Sequence, residues 1–227
     1  MSVELSEVRN EDSLNIESVH EWLSTRIPDL ESIPKVRQFR SGCIQPNFLL
    51  EYPGRELVLR TPPRGTKAAS AHDMSREFLI QRSLKPYFSL VPNVLALCQD
   101  AEILGSDFYV MERIEGTILR RDLPSDISIS PEDVTSIGKK VIEGLVELHS
   151  IDPEILANLS KGPGYVSRQV EGWSRRYRDA LTDDVPKAEE LIAWLREEQQ
   201  KILLPASSTV IGDSTILFST LSRRQSW

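Results

Sequence analysis

Arg60 closes an apolar, β-rich run, Leu57-Val58-Leu59, and Glu77 follows it in a stretch with helical spacing. A cation at a strand end can hold a phosphate, and a carboxylate on a packed helix can hold that cation in place. The plainer alternative for each is a solvated charge. Ser41-Gly42 falls between two strand-like runs, where a glycine-containing turn either lays backbone N–H groups over a phosphate or simply closes a hairpin. Residues 106–116, Ser-Asp-Phe-Tyr-Val-Met-Glu-Arg-Ile-Glu-Gly, lead a buried strand into an extended linker. Free backbone N–H and C=O groups beside such a strand suit the edge of an adenine ring. Most apolar runs of this length are nevertheless plain core strands.

The elements that must position these residues can be read from periodicity. Leu14, Ile16, Val19, Trp22 and Leu23 have helical spacing, with Pro28 as a stop. Residues 36–39, 48–52 and 56–60 are expected to be strands, with Pro53-Gly54 turning the chain between the last two. A loop over 62–71 and a helix over 72–85 follow, the helix carrying Glu77 and ending at Pro86. Val91 to Leu97 and Ile103-Leu104-Gly105 are expected to form a strand and hairpin leading into the strand at 108–111.

Beyond Gly116 the pattern becomes helical. Ser130-Pro131-Glu132-Asp133 combines an N-cap serine, a first-turn proline and acids facing the helix dipole. Val134, Ile137, Val141, Leu145 and Leu148 continue it to His149, whose expected part is to cap carbonyls. Helices are also expected over 165–182 and 186–201, with Trp173 and Trp194 as core anchors. The fold class is therefore α+β: a small antiparallel sheet with one helix, then a helical part.

Composition excludes several classes. Hydrophobic residues make up 40% and charged residues 27%, as in an ordinary globular chain. A net charge of −7 argues against a nucleic-acid surface. No apolar run approaches the roughly 20 residues of a membrane span. Cys43 and Cys98 have no metal-type spacing, which fits reduced thiols in an intracellular, cytoplasmic setting.

The order of motifs resembles the aminoglycoside phosphotransferase and choline kinase-type family. It runs Gln38-Phe39, Gly42, Asn47-Phe48-Leu49-Leu50, Val58-Leu59-Arg60, Pro62-Pro63, Gly65, then His72-Asp73-Met74 and Arg76-Glu77. Val91-Pro92, Phe108 to Gly116, Leu148-His149-Ser150-Ile151-Asp152 and Gly164-Tyr165-Val166 continue it. The pattern is most similar to the subgroup fused to some acyl-CoA dehydrogenases. The resemblance implies a protein kinase-like two-lobed fold that takes ATP and Mg²⁺ with a small-molecule substrate, and transfers the γ-phosphoryl group to a hydroxyl. It places Ser41 and Gly42 over the phosphates, Arg60 on the α- and β-phosphates, and Glu77 as its partner. Met111, Glu112, Arg113 and Ile114 then border the adenine. On this basis residues 1–30 are a helical extension, 31–116 the β lobe and 117–213 an incomplete helical lobe.

The pattern departs after residue 210. The family's His-Gly-Asp reads Ile211-Gly212-Asp213 here, so Asp213 matches the base without its histidine. Phe218 stands where the metal-holding asparagine is expected, and the chain reaches Trp227 before a metal-binding aspartate. The metal site is therefore expected to be incomplete and residues 214–227 to be an aberrant tail. A non-catalytic nucleotide-binding or interaction module is the alternative reading.

Overall fold

The computed structural model describes residues 5–39, 46–63, 73–116, 128–159 and 164–198. The described residues fall into two compact units that divide between Ile151 and Asp152.

The first unit is built on a six-stranded antiparallel sheet. Its strands are β1 (Leu5–Ser6), β2 (Lys35–Phe39), β3 (Asn47–Tyr52), β4 (Arg55–Arg60), β5 (Val94–Cys98) and β6 (Phe108–Glu112), in the order β1-β2-β3-β4-β6-β5. The β3–β4 hairpin turns at Gly54, whose φ of 72° is one that glycine adopts without strain. Side chains alternate between faces along each strand, so the register decides what meets what. Phe48, Leu50, Leu57, Leu59, Phe108 and Val110 share one face and are buried.

That face is covered by α1 (Ile16–Ser24), with Asn15 as its cap. Val19 and Leu23 enter the core at helical spacing, and the Trp22 ring meets Phe108 edge-on with centroids 5.4 Å apart. Each large apolar side chain withdrawn from water contributes about 1.5–3 kcal/mol. The opposite face receives α2 (Met74–Leu84), whose Met74 and Phe78 pack on Tyr109. Asp73 caps α2 by accepting from the Arg76 N–H at 2.9 Å.

One expected hairpin segment is helical instead. Ala101–Leu104 forms the short helix α3. The Asp100 side chain accepts from the Glu102 N–H at 2.9 Å, and Gly105 closes the turn at φ 77°. Ile103 and Leu104 pack against the α1 core. The Asx cap and the αL glycine together outweigh the β tendency of Ile103.

The helix α4 (Pro131–His149) starts with a complete capping box. Ser130 Oγ accepts from the Asp133 N–H at 3.1 Å, and the Asp133 carboxylate accepts from the Ser130 N–H at 3.1 Å. Leu148 is buried as its spacing predicts, whereas Val134 at the other end is exposed.

The second unit contains a 3-10 segment, Pro153–Leu159, and the helices α5 (Tyr165–Asp179) and α6 (Glu189–Glu197). Trp173 and Trp194, expected as anchors, are 63% and 55% exposed. Trp173 lies under the Arg176 guanidinium at 4.7 Å. The two helices are joined by Arg178–Glu189 at 2.6 Å and Arg196–Glu171 at 2.7 Å. An amphipathic pattern states a capacity for burial, which Ile192 on α6 uses and the two tryptophans do not.

Candidate functional site

The α2-facing side of the sheet can be built row by row from the strand register. Asn47 lies opposite Arg60, and Arg60 opposite Tyr109. Leu49, Val58 and Met111 form the next row. Glu51 and Glu56 follow, Glu51 pairing with Arg37 through both carboxylate oxygens at 2.5 and 2.9 Å, while Glu56 accepts from Arg113. The face therefore grades from a cation, across an apolar strip, to a row of ion pairs.

Arg60 and Glu77 meet, as a helix packed on this face requires. Arg60 Nε donates to Glu77 Oε2 at 2.7 Å, and Arg60 Nη1 reaches Asn47 Oδ1 at 3.4 Å. The two charged side chains are 13% and 22% exposed, so the pair is partly shielded from water yet open at its edge. Glu77 sits in the first turn of α2, where the helix dipole favours a carboxylate.

Several contacts fix α2 against the sheet and so fix Glu77. At its start, Ser75 Oγ donates to Asp107 at 3.2 Å and accepts from Gln99 at 3.0 Å. At its middle, Gln81 Nε2 donates to the Tyr109 hydroxyl at 2.8 Å, and that hydroxyl donates to Glu77 at 3.4 Å. Burial pushes the Tyr109 phenol far above its usual range, which keeps it a donor. Past its end, Lys85 Nζ donates to the Val91 carbonyl at 2.7 Å and the Ser89 carbonyl at 3.2 Å, with Glu112 at 3.8 Å.

The linker after β6 shows which backbone groups remain for a ligand. The Glu112 N–H donates to the Asn93 carbonyl at 2.9 Å and is therefore occupied. Among the described residues, the N–H groups of Arg113 and Ile114 have no backbone partner outside the regular helices and strands. The apolar strip beside them is already covered: Leu49 is 0% and Val58 8% exposed, with Met111 half-buried.

Ser41, Gly42 and Asp213 lie outside the described residues. Among the described residues, no group of three or more His, Cys, Asp or Glu is placed to hold a metal ion. Arg60 and the 113–114 amides fit a nucleotide, and no described donor set fits Mg²⁺.

Sequence reasoning missed Asn47, Gln81 and the Tyr109 hydroxyl as parts of this site. Gln81 lies one turn after Glu77, an i,i+4 relation that marks neighbours on a helix face. A tyrosine in a buried run also signals a hydroxyl needing a partner.

The sheet, the paired Arg60 and Glu77 and the linker after β6 define a protein kinase-like fold of the phosphotransferase type. The chain belongs to the phosphotransferase enzyme family (APH), whose sequence profile matches residues 35–211.

Its relatives include acyl-CoA dehydrogenase family member 11 of Gallus gallus, 35% identical over 197 residues, which cover 84% of this chain and 25% of the relative. Family member 10 of Mus musculus is 38% identical over 160 residues, covering 70% of this chain and 15% of the relative. The chain thus spans a quarter or less of the length of these relatives. A Ralstonia eutropha crystal structure assigned as an aminoglycoside phosphotransferase superposes with a TM-score of 0.63 at 27% identity, over 82% of this chain and 54% of that one. A thermostable mutant of aminoglycoside phosphotransferase APH(4)-Ia, in a ternary complex with AMP-PNP and hygromycin B, shares the fold with a TM-score of 0.50 at 19% identity, over 82% of this chain and 62% of that one.

Proposed function

We propose that the chain binds ATP on the α2-facing side of its sheet, as part of a family whose reaction is γ-phosphoryl transfer to the hydroxyl of a small molecule. The observation that carries this reading is the Arg60–Glu77 contact at 2.7 Å. A guanidinium held in place by a carboxylate presents a fixed, delocalised positive charge that suits phosphate oxygens, and it stays charged at any physiological pH. The Arg113 and Ile114 N–H groups would meet the adenine edge, and Ser41 and Gly42 would lie over the phosphates.

In the transfer itself, the bond between the γ-phosphorus and its bridging oxygen breaks while the acceptor oxygen bonds to phosphorus. The acceptor's proton passes to a base, the part assigned to Asp213. Bound Mg²⁺ would neutralise charge developing on the phosphoryl oxygens. Phe218 at the position of the metal-holding asparagine offers no ligand for it, which favours weak or no turnover by this chain. The acyl-CoA dehydrogenase relatives favour a hydroxyacyl thioester over an antibiotic as acceptor. The free, buried Cys98 suits a reducing, intracellular setting, and no described helix is long and apolar enough to cross a membrane.

A second reading, a nucleotide-binding module without catalysis, is favoured by the same Phe218. Thermal unfolding with ATP, in the presence and absence of magnesium, tests both. An ATP-dependent rise in Tm that grows with magnesium supports the enzyme. A rise indifferent to magnesium supports the module. The absence of any rise with ATP contradicts both.

A further inference from the structure

We propose that Tyr109 and Gln81 are positioning residues that orient the Glu77 carboxylate, and through it hold Arg60 ready for a phosphate. The inference deepens the nucleotide reading and rests on it.

Gln81 Nε2 donates to the Tyr109 hydroxyl at 2.8 Å. A phenol has a single hydrogen to give, and with a donor already on its oxygen that hydrogen is directed to Glu77 Oε2, 3.4 Å away. The same Oε2 accepts from Arg60 Nε at 2.7 Å. The chain of donors therefore runs one way, from the Gln81 amide through Tyr109 to the carboxylate that fixes the guanidinium.

Burial makes the direction matter. Gln81 is 2% and Tyr109 1% exposed, so bulk water cannot replace either partner. The Phe78 ring stands edge-on to Tyr109 at 6.1 Å and keeps the phenol from swinging away.

Gln81 Oε1 is buried without a hydrogen-bond partner. Turning the amide over would give that oxygen the Tyr109 proton as a partner and take the proton from Glu77. Either orientation leaves one end of the amide unpaired, and only this one leaves the Tyr109 hydrogen for Glu77. Packing alone gives no reason for a glutamine at this position, since a leucine would fill it without an orphaned oxygen.

The test separates positioning from packing. Tyr109→Phe keeps the ring, and adding Gln81→Leu removes the buried amide that Tyr109→Phe alone would leave with no partner at either end, which limits the loss of stability. The readout is the ratio of ATP to adenosine affinity, which isolates the phosphate contribution. We expect that ratio to fall about threefold to tenfold in both variants, as a loss near 1 kcal/mol implies, and to collapse in Arg60→Ala. Unfolding of Tyr109→Phe, Glu77→Gln and their combination should also be non-additive. If Arg60→Ala lowers the ratio and the Tyr109 and Gln81 variants leave it unchanged, positioning is overturned and the phosphate reading stands. Additive stabilities would likewise overturn the coupling. If the wild-type chain does not prefer ATP to adenosine, both readings fall together.

Discussion

Arg60 on β4 and Glu77 on α2, 17 residues apart in sequence, form a side-chain ion pair at 2.7 Å between Nε and Oε2. α2 is held at its start by Ser75 on Asp107, at its middle by Gln81 on Tyr109 of β6, and beyond its end by Lys85 on the Val91 carbonyl, which places Glu77 beside Arg60. Removing one member leaves a partly buried charge without its main partner. Arg60→Ala and Glu77→Gln should each cost about 2 kcal/mol in urea unfolding, and together less than the sum. Strict additivity would show that the pair is not coupled.

Leu59→Ala tests the opposite side of the same strand. Leu59 is fully buried between Phe48 and Val110 in register, under α1. The loss should be roughly 2–5 kcal/mol, because a cavity remains where the sheet cannot collapse. A loss near zero would mean that α1 does not seal this face.

Ser130→Ala removes one half of the capping box on α4. About 1 kcal/mol of local stability should disappear, seen as faster amide exchange in the first turn after Pro131. Unchanged exchange would show that the cap is dispensable.

The response to alkali follows from burial. Tyr52 is pushed up to about 12, Tyr109 is pushed well above its usual range, and the Cys98 thiol is also raised, each chiefly by loss of hydration. Unfolded tyrosine titrates near pH 10 and unfolded cysteine near 8.5. The unfolded chain then releases protons that the native state keeps. This stabilisation is fully present below those unfolded values and is lost as pH climbs through the raised folded ones. Tyr109→Phe should flatten the decline above about pH 10, where an unfolded tyrosine ionises. An unchanged slope would contradict the burial of that phenol.

Much of the fold was legible because its signals are local. Short apolar, β-rich runs on either side of Pro53-Gly54 marked β3 and β4, and Ser130 with Asp133 marked the start of α4. The pairing of Arg60 with Glu77 was legible only conditionally, since it depends on how α2 packs. Asn47 was missed because its nearness to Arg60 comes from strand register, which periodicity does not encode. The helical turn at Ala101–Leu104 was missed because Asp100 and Gly105 outweigh Ile103. Trp173 and Trp194 show the limit of pattern: an apolar stripe states a capacity for burial, and only the surrounding chain decides whether it is used.

Calorimetric titration of the wild-type chain and Arg60→Ala with ATP bears most directly on the central claim, that Arg60 held by Glu77 is the phosphate-binding cation. Binding by the wild type should saturate, with an affinity at least tenfold weaker in Arg60→Ala, equivalent to about 1.4 kcal/mol. Equal affinities, or no binding by the wild type, would contradict that claim.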